Sequence, residues 1–151
     1  MSITERIVRA PAENVYAVLS DGWSYSDWVV GTAHIRDVDA EWPAPGSRLL
    51  HKAGPWPLSI RDRSESLEWE PGRMLLLKVH LWPFGAGHVR FTLDPLDEQA
   101  TRVTLQEQFT DGPLLGVRNK VGDVLLHFRN TEVLQRLADH AERRMAAAQR
   151  G

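Results

Sequence analysis

The chain has 151 residues, 42% of them hydrophobic and 25% charged, with a formal charge of -2 at neutral pH. That length suits one domain over residues 1–151, able to bury roughly two-thirds of its unfolded surface, and the near-balance of charge offers no net pull toward nucleic acid or anionic lipid. There is no cysteine, which excludes disulfides, thiolate nucleophiles and Cys-based zinc or iron–sulfur sites.

No apolar run has membrane-spanning length, and Met1 to Ala10 carries no charged-then-apolar leader. The expectation is therefore a cytoplasmic protein, monomeric or homodimeric, without stable membrane insertion. Six tryptophans beside two tyrosines and four phenylalanines form an unusual balance. Large rings either fill a core or line a pocket, and composition does not separate the two uses.

Ser2 to Ala10, with Ile3, Ile7 and Val8 among polar residues, reads as a short strand. Pro11 then favours a first helical turn, and Val15, Val18 and Leu19 on one side predict a helix over Ala12 to Leu19, ended by Gly22. Ser24 followed by Asp27 resembles a capping arrangement for a second short helix that would place Trp28 and Val29 beside the first. From Thr32 to Phe109 strands alternate with turn chemistry. The strands are Ala33–Asp39, Arg48–Ala53, Leu58–Trp69, Met74–Trp82, His88–Leu93 and Arg102–Phe109. Glu70-Pro71-Gly72-Arg73 places Pro and Gly at the central positions of a type II turn. Strands joined by such reversals form an antiparallel meander, with one face free to meet water.

Side-chain alternation assigns Val89, Phe91 and Leu93, and Val103, Leu105 and Phe109, to one face, with Glu107 among them. Leu49, His51 and Ala53 share a parity. In Met74–Trp82 the exposed parity is that of Lys78, which leaves Leu75, Leu77, Val79 and Leu81 inside and His80 and Trp82 outside or at an edge. Thr110 to Lys120 is the one loop of notable length, and Gly122 to Arg150 reads as a single long helix with no Pro or Gly after Asp123. Its second half has a stripe of Leu134, Leu137, Ala138, Ala141 and Met145, opposite Glu132, Arg136, Asp139, His140 and Arg143. Carried backwards, the stripe reaches Thr131, Asn130, His127 and Asp123, which are polar. Either the helix stands over a hollow there, or a kink near Arg129 turns Leu125 and Phe128 inward.

This order of elements, with the runs Asp27-Trp28-Val29-Val30-Gly31, Pro45-Gly46-Ser47, Thr101-Arg102-Val103-Thr104-Leu105 and Arg129-Asn130 before Leu134 and Leu137, resembles the polyketide cyclase/dehydratase and lipid-transport family of the START-like (SRPBCC, helix-grip) superfamily. The resemblance covers essentially the whole chain and consists of fold-type signals. It implies an α+β helix-grip fold: a curved antiparallel sheet of about seven strands wrapped around a long C-terminal helix, with two short helices after the first strand and a cavity between. Members are described as binding apolar small molecules, and some cyclise or dehydrate polyketides. No position matches a catalytic motif, so no catalytic residue is carried over.

The candidate ligand-binding residues are apolar ones, Trp28, Ile60, Leu77, Val79, Phe91 and Phe109, and polar ones, His51, Glu107, His127, Asn130 and Thr131. A buried carboxylate such as Glu107 is costly unless paired, so it either has a partner, such as an arginine, or holds its proton tightly. His51 is either a structural partner or a site residue. His127, Asn130 and Thr131 either offer hydrogen bonds to a ligand or form a solvated helix face. The six histidines show no metal-binding spacing and there is no G-x-S-x-G elbow, so neither a metal, a cofactor nor serine-hydrolase chemistry is expected. Two functions remain: binding of a lipid-like or polyketide-like molecule, or a cyclase/dehydratase-type reaction in which Glu107 or His51 moves a proton.

Overall fold

The computed structural model describes residues 2–30, 32–53, 60–81, 85–111 and 120–150. Strand β1 (Ser2–Val8) is followed by α1 (Ala12–Ser20), a 3-10 turn (Gly22–Ser24) and α2 (Tyr25–Trp28). The meander comprises β2 (Thr32–Val38), β3 (Arg48–Ala53), β4 (Ile60–Glu70), β5 (Met74–Leu81), β6 (Gly85–Asp97) and β7 (Ala100–Asp111), and α3 (Lys120–Arg150) closes the chain. All seven strands form one antiparallel sheet in the order β1-β7-β6-β5-β4-β3-β2. The α1–α2 segment therefore carries the chain from one edge of the sheet to the other. The α+β arrangement expected from the sequence, a curved sheet around a long terminal helix, is the one observed.

Local chemistry accounts for these elements. The β4–β5 reversal is closed by Arg73 N donating to Glu70 O at 3.0 Å, and Gly72 takes the positive φ of 74° that a type II turn requires at its third position. Gly22 is needed for room, since a Cβ there would lie 2.7 Å from Val38 Cγ1. Ser24 differs from the expected cap. Its hydroxyl donates to Asp21 O at 2.7 Å and accepts from Trp28 Nε1 at 3.0 Å, so it anchors the indole rather than capping α2. Trp28 is thereby fixed against Tyr25, with ring centroids 4.4 Å apart, and edge-on to Phe91 at 5.8 Å.

Inward parity follows the alternation read from the sequence: Leu75 and Leu77, Phe91 and Leu93, Val103, Leu105 and Glu107 are all buried. Leu76 is a departure. It shares the parity of Lys78 yet is buried, because the register sets it between Glu68 of β4 and Arg90 of β6, whose long stems can cover apolar surface. Of the expected inward residues, the side chains of Ala53 and Leu81 lie outside the described residues, as does Trp82; His80 is half-buried.

A 31-residue α3 is about 46 Å long, and it packs against β1, α1 and α2. From Leu134 onward it is dry: Leu134, Leu137, Ala138 and Ala141 are all buried. Arg136 stays on the wet side, where its Nε donates to Glu132 Oε1 at 2.8 Å. Phe128 is 67% exposed, so no rotation turns it inward; Leu125, the other residue of that alternative, has its side chain outside the described residues. Beyond the core contacts, Arg144 Nη2 reaches Asp21 Oδ2 at 3.2 Å and the Arg9 amide donates to Glu142 Oε1 at 3.1 Å, holding the end of the helix to the α1 region.

Leu137→Ala removes a side chain with no exposure and is expected to cost about 2–5 kcal/mol in denaturant titration. Arg136→Ala, removing one partner of an exposed pair, should cost less than about 1 kcal/mol; equal losses would contradict this packing.

Candidate functional site

Toward its N-terminal half, α3 meets the sheet at the edge strand β1, where His127 faces Thr4, and does not close onto the middle strands. A cavity of about 400 Å³ opens between them, lined from α3 by Leu126, Arg129, Asn130 and Val133. These positions recur at three- and four-residue steps, so they form one row along the helix. The sheet supplies Leu49 and His51 from β3, Ser64 from β4, Leu77 and Val79 from β5, Val89 and Phe91 from β6, and Leu105, Glu107 and Phe109 from β7. Tyr25, Trp28, Val29, Val30 and Thr32 close the side next to α2.

Of the residues singled out in the sequence, Trp28, His51, Leu77, Val79, Phe91, Glu107, Phe109 and Asn130 line this cavity. His127 and Thr131 do not. Both are exposed, because each sits one residue, or about 100°, past the row of Leu126 and Asn130. His127 is directed toward β1, with Nδ1 3.5 Å from Thr4 Oγ1, and Thr131 Oγ1 donates back to His127 O at 2.8 Å. The Ile60 side chain and that of Asp123 lie outside the described residues. Sequence reading did not assign Ser64, Arg129 or Val133 to the site. The signal was available: stepping back from Leu137 by four, four and three residues reaches Val133, Arg129 and Leu126.

The polar groups form two clusters. In the first, Arg129 Nη1 donates to Glu107 Oε1 and Oε2 at 3.4 and 3.2 Å and to Asn130 Oδ1 at 3.3 Å, while its Nε donates to Val30 O at 3.2 Å. One guanidinium thus joins α3, β7 and the segment after α2. The Glu107 side chain is 8% exposed and that of Arg129 34%, so the pair resolves the carboxylate's need for a partner with a cation at the cavity's wetter margin. Asn130 is fully buried, and among the described residues its Nδ2 has no hydrogen-bond partner.

The second cluster lies across the sheet, where His51 Nε2 and Ser64 Oγ are 3.3 Å apart. His51 is 4% exposed, and its Nδ1 has no hydrogen-bond partner among the described residues. Burial lowers the His51 pKa below the ordinary histidine value; Asp62 opposes that effect and Arg36, whose Nε donates to His51 O at 3.4 Å, reinforces it. The imidazole is therefore neutral at physiological pH, with a nitrogen able to accept a proton. Among the described residues no cluster of three or more His, Asp or Glu is arranged to hold a metal ion.

Comparison with known proteins follows from this geometry. A family model described as polyketide cyclase/dehydrase and lipid transport matches residues 2–142. The chain belongs to that family. Similar solved structures include the Zhui aromatase/cyclase from Streptomyces sp. R1128, at 20% identity and TM-score 0.73 over 97% of this chain and 95% of that one. Another is a START superfamily protein from Mycobacterium smegmatis, at 16% identity and TM-score 0.70 over 93% and 96%. A third, from Nitrosomonas europaea, has 18% identity and TM-score 0.73 over 95% of both chains. At these identities the likeness is one of fold: the START-like helix grip. No curated protein matches the chain at a significant level.

The direction of the His51 shift fixes a pH dependence. Because the folded pKa lies below the unfolded value of about 6.5, the unfolded chain binds more protons as pH falls through that value. His51 then opposes folding increasingly down to its folded pKa. Urea titrations from pH 7.5 to 5 are expected to show stability falling with pH in the parent, and a shallower fall in His51→Gln; identical slopes would mean that His51 carries its proton equally in both states.

Proposed function

We propose that the protein binds a small hydrophobic molecule, lipid-like or polyketide-like, in the cavity between the sheet and the N-terminal half of α3. The observation that carries this reading is the cavity itself. Its volume of about 400 Å³ falls within the range of roughly 300–1,000 Å³ usual for ligand pockets. It is walled mostly by Leu, Val, Phe and Trp side chains, with a few polar groups at two places. A close-packed domain does not ordinarily leave such a volume empty. Membership of the polyketide cyclase/dehydrase and lipid-transport family supports the same ligand class.

One observation favours a second reading, cyclase/dehydratase-type chemistry. His51 faces the same space with its imidazole neutral, so it could take a proton from a bound substrate, with Ser64 fixing its orientation at 3.3 Å. The Zhui protein, of the same fold, is an aromatase/cyclase. In this reading His51→Gln keeps ligand affinity and loses turnover, whereas a pure binding protein shows no turnover to lose.

Binding is tested with N-phenyl-1-naphthylamine, an uncharged fluorescent probe, on the parent and on Val79→Trp, which places a large ring on the cavity wall. The parent is expected to bind with a Kd in the micromolar range, about 8 kcal/mol of affinity, and Val79→Trp at least about tenfold more weakly with its circular dichroism unchanged. Absence of binding to the parent by this probe and by a panel of fatty acids, steroids and aromatic polyketides up to millimolar concentration would refute the reading.

A further inference from the structure

The cavity is not closed in the same way on every side. On the sheet side the wall is a continuous set of backbone ladders from β1 to β2, and parting it would break several hydrogen bonds at once. On one flank of α3, Leu134, Leu137, Ala138 and Ala141 sit in the core and β1 lies alongside. The other flank faces the segment from Asp27 to Val30, whose Trp28, Val29 and Val30 line the cavity. Arg129 and His140 both belong to this flank, since eleven positions make about three turns of helix.

Polar side chains cross this seam at its two ends. His140 Nε2 lies 4.0 Å from Asp27 Oδ2, with both groups partly open to water. At the cavity end, Arg129 Nε donates to Val30 O at 3.2 Å. Val30 belongs to neither α2 nor β2, so its carbonyl is held by a side chain instead of a ladder. The same guanidinium is anchored from inside by Glu107, to which Nη1 donates at 3.2 and 3.4 Å. A side-chain contact is released by rotation about its own bonds, with both backbones left folded. Rotating Arg129 outward leaves Glu107, 8% exposed, as an unpaired buried carboxylate. That is costly, so the closed arrangement is the populated one.

We infer that ligand enters and leaves between the N-terminal half of α3 and the Val29–Val30 segment, with Arg129 as the clasp that holds this seam shut and Glu107 as the anchor that returns it. The inference rests on the binding function proposed above. Passage waits for the minor, unclasped state, so association is slower than diffusion allows. The ion pair thereby sets the rate of ligand exchange in addition to joining α3 to β7. Loosening it speeds entry and exit together, because both cross the same barrier.

Stopped-flow mixing with N-phenyl-1-naphthylamine at pH 7.5 reads association, and rapid dilution of the loaded protein reads release. In the parent, association is expected well below the diffusional ceiling of about 10⁸–10⁹ M⁻¹ s⁻¹. Arg129→Met combined with Glu107→Gln removes both charges, so neither is stranded, and should raise association and release together, each at least about fivefold. Glu107→Gln alone, which keeps the bond to Val30 and loses the anchor, should raise both by less. Arg73→Ala, which breaks an exposed pair at the β4–β5 turn, should leave both rates at the parent's values. Association at the ceiling in the parent, or unchanged rates in the double variant, overturns the inference. A rise in release alone does so too, since it makes Arg129 a ligand contact instead of a clasp. If the parent does not bind the probe, the binding function falls and this inference with it. Should the double variant fail to fold, judged by circular dichroism, Glu107→Gln and the parent's own association rate decide the matter.

Discussion

The structure depends on how a single helix is shared between two environments. The C-terminal half of α3 is seated by Leu134, Leu137, Ala138 and Ala141 in the core, and burial of each of the two leucines contributes roughly 1.5–3 kcal/mol. With that half clamped, and its end tied to Asp21 and to the Arg9 amide, the N-terminal half touches the edge strand β1 at His127 and can stand away from the middle of the sheet. The hollow is held open by the packing beside it. An aliphatic stripe running the full helix would have drawn the sheet onto it and filled the space.

Polar groups in the hollow have a structural role. Arg129 contacts Glu107 on β7, Val30 after α2 and Asn130 on its own helix. It therefore spans the gap that apolar packing leaves, at a place where the cation keeps some access to water. A buried ion pair adds little net stability but is costly to break, since removing either partner strands the other. His51 and Ser64 form a smaller cluster on the opposite wall, neutral because burial opposes the imidazolium. Together they give an apolar space two polar places.

Much of the fold was legible in the sequence because its signals are local. Pro and Gly mark the reversals, as at Pro71-Gly72, and period-two alternation placed Glu107 inside among Leu105 and Phe109. The helix end was legible from the Leu134 to Met145 stripe. The site was legible where it lies on strands, since parity alone decides which way His51 or Phe91 points. On α3 it was less so. A stripe extended backwards carries an error of about 100° per residue of misassignment, enough to put His127 and Thr131 in the cavity and leave Arg129 out. An arginine partner for Glu107 was foreseen as one alternative, but not that it is Arg129, because 22 residues separate them and no periodicity links a strand to a helix at that distance. Ser64 was invisible for a similar reason: its contact with His51 depends on the β3–β4 register.

The most direct test of a helix dry at one end and hollow at the other is amide hydrogen exchange along α3, with and without saturating N-phenyl-1-naphthylamine. Exchange reports local opening segment by segment. The account predicts that ligand slows exchange around residues 126–133 and in the facing parts of β3, β4 and β7, while residues 137–145 are already slow and do not change. Slowing confined to residues 137–145, or the same slowing along the whole helix, would contradict it.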